Sequence, residues 1–344
     1  MGRSKLLLFI ILSLLAKAEL PSNMSYAAKV YSSISKVLNE DYAGAKKDLK
    51  FFNEKNPGST LGGILFAGAV IFEREHAANF LDAKEIDSLL YVSQDSCEVL
   101  LKKNPDDLWG NYLMALTKTY QTYWKLFQSN YIDGFADGFV ALQYFEKCLS
   151  IDSSFAEAKV AIGNYKYWSS VKTESLHWLP FIEDNRESGL HGLESALSEK
   201  FMNKDFALIS LGYAYLNEER YLAAIKLAED LLKKYSKSSK IKALLAKAYE
   251  IPEPDKSIKL YKELVNRFAK ENFENPYKSI EARNNLAQLY FRTGNYKKAE
   301  KLCDEVLSMP EINQKYQVQV IPLIEKIVEL QDSSRAHIEV IPKK

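Results

Sequence analysis

At 344 residues, with 47% hydrophobic and 26% charged side chains, the chain is long enough to bury a large core and too apolar to stay disordered. Its 46 basic and 45 acidic residues leave a net charge of +1, which gives no electrostatic case for nucleic acid. No P-loop, G-x-S-x-G, G-x-G-x-x-G or metal-ligand spacing occurs, so the common sequence signatures of nucleotide, nucleophilic and metal chemistry are missing.

The N-terminus differs from the rest. Arg3 and Lys5 precede the apolar run LLLFIILSLL (Leu6 to Leu15), and Ala16-Lys17-Ala18 follows as an A-x-A site. This pattern predicts a cleavable export signal over residues 1–18, cut after Ala18, and delivery to the cell envelope, most simply the periplasm. The run is shorter than the roughly 20 residues that a membrane-spanning helix needs. Loss of Arg3, Lys5 and Lys17 leaves 43 basic against 45 acidic residues, a mature charge of about −2. No later stretch is apolar for long enough, so no membrane span is expected in the mature chain.

Beyond a first helix pair over 24–56, the sequence repeats itself. KNPGSTLGGILFAGAVIFE (from Lys55), KNPDDLWGNYLMALTKTYQ (from Lys103) and IDSSFAEAKVAIGNYKYWS (from Ile151) each begin 48 residues after the copy before. Small residues recur in register at Ala67, Ala115 and Gly163, and again at Ser93, Ala141 and Gly189. These rows predict three long units over 57–201, each with a helix A and a helix B in close contact. Downstream the copies shorten. LISLGYAYLNEERYLAAIKLAEDLL (from Leu208) and NNLAQLYFRTGNYKKAEKLCDEVL (from Asn284) share Gly212/Ala287, Tyr215/Tyr290 and an aromatic-x-x-Ala at Tyr221/Ala224 and Tyr296/Ala299; a degenerate copy around Ala246 lies between them. Three such units over 205–312 precede an apolar capping helix over 314–331, interrupted at Pro322, and the tail over 332–344 reads as irregular.

The shorter copies resemble the tetratricopeptide repeat, a 34-residue helix-turn-helix with small residues and aromatics at fixed offsets. The resemblance implies an all-α, right-handed α-solenoid of about seven helix pairs plus the C-terminal cap. Against it, the long units carry 14 additional residues between helix A and helix B. The first insertion, REHAANFLDAKEID, reads as helix extension; QSNYIDGFADG and SSVKTESLHWLPFIEDNRE read as aromatic, turn-rich loops. In the last of these Pro180 ends helix A, and Trp178 and Phe181 are expected to pack on the neighbouring insertion.

Candidate chemistry is sparse. None of the four histidines (His76, His177, His191, His337) is paired at i, i+4 with another. Asp133 to Gly138 starts like a calcium loop, but Phe135 and Tyr144 stand where oxygen ligands are needed, so the letters read as a turn. Cys97, Cys148 and Cys303 fall on core rows of helix B, which predicts buried thiols; a Cys97–Cys148 disulfide is the alternative.

What remains is binding. In the tetratricopeptide family the helix A side chains line a concave groove. Carried over by alignment, this implies a peptide-binding surface of Trp109, Tyr112 and Tyr120 in the third pair, and Asn164, Tyr167 and Trp168 in the fourth. Tyr213 and Asn217 in the fifth pair and Asn284 and Arg292 in the last complete it. Asn164 could clasp an extended backbone through its amide, whereas Val160 removes the charge a carboxylate clamp requires. Aromatics at helical spacing also serve packing between repeats. The expectation is a non-catalytic exported scaffold or adaptor, without cofactor, that docks a protein or peptide partner in the cell envelope. The alternative is an auxiliary solute-binding component of an envelope transport system, holding a small apolar ligand.

Overall fold

The computed structural model describes residues 27–79, 81, 84–174, 183–198, 204–271 and 273–340, and every regular element among them is an α-helix. Residues 1–18, where an export signal is expected, lie outside the described residues, and so do His177, Trp178, Pro180 and Phe181. In chain order the helices are α1 (Ala27–Leu38), α2 (Tyr42–Lys55), α3 (Thr60–His76), α4 (Lys84–Lys103), α5 (Leu108–Phe127), α6 (Tyr131–Ile151), α7 (Ala156–Lys172) and α8 (Arg186–Ala196). There follow α9 (Lys204–Asn217), α10 (Tyr221–Lys234), α11 (Ser239–Tyr249), α12 (Pro254–Glu271), α13 (Tyr277–Arg292), α14 (Tyr296–Leu307) and α15 (Gln314–Val340). The architecture is the expected all-α repeat, with helices packed in consecutive pairs such as α1–α2, α5–α6, α7–α8 and α13–α14.

The chain divides into two compact units. One takes the described residues up to Glu73 and those from Asp82 to Glu218; the other takes Arg74–Leu81 and everything from Glu219.

Within the first unit, α1 and α2 are tied by one acid. Asp48 is buried on α2 and accepts from Lys29 (2.9 Å), Ser32 (2.6 Å) and Lys36 of α1. Burial pushes its carboxyl up, but the three hydrogen bonds outweigh burial and hold it at about 2. The next helices show why the repeat rows are small. Ala67, Ala115, Ser93 and Ala141 are all buried, and at the α7–α8 contact the rows meet as two glycines. A Cβ on Gly189 would stand 2.5 Å from the Tyr167 backbone nitrogen and 2.8 Å from the Gly163 carbonyl oxygen. Only glycine permits that approach.

The second insertion corrects the sequence reading. QSNYIDGFADG is not a turn-rich loop. α5 and α6 are simply long, at 20 and 21 residues, and only Gln128 to Asn130 connect them. Ser129 supplies the left-handed residue of the turn (φ 63°), and the Asn130 N–H closes on the Lys125 carbonyl at 2.9 Å. Asp133 to Gly138, the calcium-like letters, are the first turns of α6. Gly134 and Gly138 are there because α6 lies against Leu126 and Thr122 of α5.

α5 is buried almost all round, from Gly110 to Leu126 with few breaks. A helix without a solvated face belongs to an interior. Three of its threonines are satisfied locally: Thr117, Thr119 and Thr122 each donate to the carbonyl four residues back, at 2.8–2.9 Å.

In the second unit the core gathers Tyr261, Leu264, Ile280, Leu286, Tyr290, Leu302, Val306, Tyr316, Val320 and Ile327. Gly294 (φ 74°) turns the chain between α13 and α14. The C-terminus differs from expectation. α15 runs 27 residues, through Pro322 and on to Val340, so residues 332–340 are helical rather than irregular. Proline removes one donor, and the neighbouring backbone bonds and the packing of Tyr316, Val320, Ile327 and Gln331 carry the helix past it.

All three cysteines are free and buried. Burial pushes the Cys97 and Cys148 thiols up to about 12 and Cys303 to about 11, so they behave as core residues rather than nucleophiles.

If the glycine contact between α7 and α8 fixes their spacing, Gly189→Ala should destabilise by about 1–3 kcal/mol through overpacking. Gly192→Ala, whose Cβ would meet nothing nearer than 3.8 Å, should be neutral or stabilising. Chemical denaturation of the two variants against the parent measures the difference.

Candidate functional site

The residues assigned to a concave groove are traced first. On α5, capped by Asp107 accepting from the Gly110 N–H at 2.5 Å, Trp109 packs on Tyr112 with ring centroids 5.5 Å apart. Tyr112 is fully buried and meets Phe155 edge-on at 5.4 Å. Tyr120 is buried against α3, where a Cβ on Gly68 would fall 2.6 Å from its ring. Burial pushes the Tyr120 hydroxyl up.

Five more come together where α7 packs on α9. The Tyr167 hydroxyl donates to Glu218 at 2.7 Å, lies 3.2 Å from the Ala214 carbonyl, and accepts from Asn217 at 3.0 Å. Asn164 accepts from Ser210 at 2.5 Å. Trp168 stands edge-on to Tyr167 at 4.8 Å, and both join Ala214, with Tyr213, Val171 and Leu190 packed around them. Burial, then the bond to Glu218, pushes the Tyr167 hydroxyl up.

Of the residues assigned to the groove, Tyr112, Tyr120, Asn164, Tyr167 and Trp168 are buried and packed on their neighbours. Trp109, Tyr213 and Asn217 are half-buried at the edge of the same packing. Asn164, suggested as a backbone clasp, has its amide oxygen taken by Ser210.

In the second unit Asn284 is buried and accepts from Gln288 at 3.3 Å. Arg292 is exposed but engaged, donating to Glu250 at 2.8 Å. Glu250 is buried, takes Lys247 as a second cation, and accepts from the Tyr261 hydroxyl at 2.6 Å. Burial pushes its carboxyl up, but Lys247, Tyr261 and Arg292 together hold it below the usual carboxylate range. A second buried acid, Glu75, pairs with Lys240 at 2.7 Å. Burial alone would push the Lys278 ammonium down; the carboxylates of Glu281 and Glu75 reverse the sign. The Asn275 amide reaches the Ala78 carbonyl at 2.7 Å, and His76 stands edge-on to Phe273 at 5.2 Å. His337 stacks on Tyr296 at 4.6 Å. These rings act in packing.

The accessible apolar surface is elsewhere. Over the first three turns of α6 the buried positions are small or short, Gly134, Asp137, Gly138 and Ala141, and the large side chains there point outward; Phe145 and Cys148 are buried farther along the helix. Ile132, Phe135 and Phe139 are 84%, 56% and 54% exposed, with Tyr131 beside them. Their i, i+3, i+7 spacing puts them on one stripe. Asp137, half a turn away, is held by Lys118 (3.3 Å) and Lys125 (2.5 Å), which anchors the helix with that stripe outward. The signal was present as Tyr131, Phe135 and Phe139 at intervals of four, in the segment whose Asp-Gly pairs read as turns.

Residues 279–309 match the family model described as tetratricopeptide repeat, so the chain carries at least one such repeat, formed by α13 and α14. Among solved structures the chain is similar to the human IFIT1 dimer with m7Gppp-AAAA, at 13% identity and a TM-score of 0.43, covering 97% of this chain and 81% of that one. It is also similar to the TPR domain of P58(IPK), at 13% identity and a TM-score of 0.30, covering 92% of this chain and 99% of that one. No curated protein matches the chain in sequence.

Glu250 offers a pH test. Its folded pKa lies below the ordinary 4.5, so its contribution is complete above that value and is lost as the pH falls through the folded one. Glu250→Gln should cost about 1–2 kcal/mol at pH 7, and much less at pH 3. Urea titrations at both pH values check this, and an equal loss at both would contradict the assignment.

Proposed function

We propose that the chain is a non-catalytic scaffold, exported to the cell envelope by its N-terminal segment, that binds protein partners through the outer faces of its helices. The repeat fold supports the interaction role, and the exposed stripe on α6 is the observation that carries it. A helix that buries glycines and exposes two phenylalanines and an isoleucine inverts the arrangement expected of a solvated face. Leaving such a row in water is unfavourable by about 1.5–3 kcal/mol for each large side chain relative to burial, and a partner helix or strand recovers that energy. The basic and apolar letters of residues 1–18 support export.

The reading differs from the concave groove expected by alignment, since the groove residues are engaged with one another. It also leaves the solute-binding alternative without a support, because the aromatic residues that would line an apolar pocket are packed together.

Site-specific photo-crosslinking tests it. With p-benzoylphenylalanine at position 135 or 139, a discrete protein adduct should form in the envelope fraction, and the parent protein should have a mature N-terminus at Glu19. A Phe135→Ser/Phe139→Ser variant should keep its stability within about 1 kcal/mol, since exposed sites contribute little, and should lose at least nine-tenths of partner recovery. Absence of any adduct at either position, or undiminished recovery, would contradict the reading.

A further inference from the structure

The second unit ends on a helix that is apolar on two sides. One side of α15 faces α13 and α14 through Tyr316, Val320, Ile327 and Gln331. The adjoining side carries Val318, Ile321 and Val328, 83%, 47% and 40% exposed, with Ile324 at its inner edge, half-buried and packed against the core. Together with Ile312, the side chains of Ile321, Ile324 and Val328 line an open groove of about 530 Å³. Here the outward face is apolar along nearly three turns.

The charges around that face are mostly acidic. Glu311 and Glu325 border the groove. Glu329 and Asp332 continue the border along α15, at helical spacing from Glu325, and all four acids are exposed. Arg335, on the same side, is engaged by Glu300 at 2.9 Å and Asp304 at 3.3 Å. Lys315 and Lys326 fall on the opposite side of the helix by the same spacing, and Lys315 is paired with Glu274. A second copy docked through this face would set these carboxylates against their own counterparts, which disfavours self-association.

We infer that the α15 groove binds an amphipathic helix of basic character from a partner protein. Its apolar side chains, at i, i+3 or i+4 and i+7, fill the Ile312–Ile321–Ile324–Val328 groove, and its lysines or arginines meet Glu311, Glu325, Glu329 and Asp332. This rests on the scaffold reading and adds the chemistry of one partner surface, separate from α6. Helix-in-groove docking of this kind takes its affinity from the apolar anchors and its choice of partner from the charges.

The probe is a fluorescein-labelled helical peptide with leucines at i, i+4, i+7 and i+11 and lysines at the flanking positions, titrated with the full chain and followed by anisotropy. Its twin carries glutamates in place of the lysines. The lysine peptide should bind at least tenfold more tightly than the twin, and more weakly as salt is raised from 50 to 500 mM. Glu325→Lys/Glu329→Lys, two exposed substitutions, should reverse the preference, and Ile321→Asp/Val328→Asp, two exposed groove positions, should abolish binding of both, with circular dichroism unchanged in each variant. Equal binding of the two peptides, or an unaltered preference after charge reversal, would overturn the inference. So would a dimer in sedimentation that Ile321→Asp/Val328→Asp dissolves, since the occupant would then be a second copy. Failure here with adducts intact at positions 135 and 139 leaves the scaffold reading standing; charge-dependent binding here without those adducts removes α6 alone.

Discussion

Helix pairs can stack only if their backbones come close, and in this chain that closeness is set by side chains that are missing. Gly163 and Gly189 bring α7 and α8 to a separation at which an added methyl would meet backbone, not a movable side chain. Ala67, Ser93, Ala115 and Ala141 hold the equivalent positions in the earlier long pairs. Once the helices approach so closely, the large residues on either side of the row must interdigitate or be expelled. Tyr112, Tyr120, Tyr167 and Trp168 interdigitate. Phe135 and Phe139 are expelled, because the first turns of α6 turn Gly134, Asp137, Gly138 and Ala141 inward.

That division explains why the inner aromatic row carries little binding chemistry. A phenol buried beside a tryptophan and bonded to Glu218 and Asn217 is already satisfied. Opening it would cost a hydrogen bond and packed area together. The outer apolar faces of α6 and α15 are different in kind: they cost stability where they stand and recover it when covered. The acids around α15 add selectivity to that recovery, and the α6 stripe beside Asp133 and Tyr131 offers a less charged surface.

Much of this was legible in the letters. The 48-residue interval exposed the small rows, and the small rows predicted the A–B contacts before any coordinates. Cys97 shares its 48-residue row with Phe145 and Leu193, and all three are buried. Other features were hidden for physical reasons. Asp-Gly pairs signal turns when flanked by polar residues, yet in α6 the same glycines serve close packing, and the helix runs straight through them. Pro322 should have ended a helix, but packing along Tyr316, Val320 and Ile327 outweighs one missing backbone bond. The burial of more than half of the groove residues was hidden for a third reason. Alignment gives the face of a helix, not what lies opposite it, and opposite Asn164 and Tyr167 stand Ser210 and Asn217.

The central claim is that the inner aromatic row is core and the outer rows are the working surface. Hydroxyl-radical footprinting of the folded chain, read residue by residue by mass spectrometry, tests it most directly. Phe135, Phe139, Ile321 and Val328 should be oxidised rapidly, and Tyr112, Tyr167 and Trp168 only after unfolding. Rapid oxidation of Tyr112 or Trp168 in the folded protein, with Phe135 and Phe139 protected, would contradict the account.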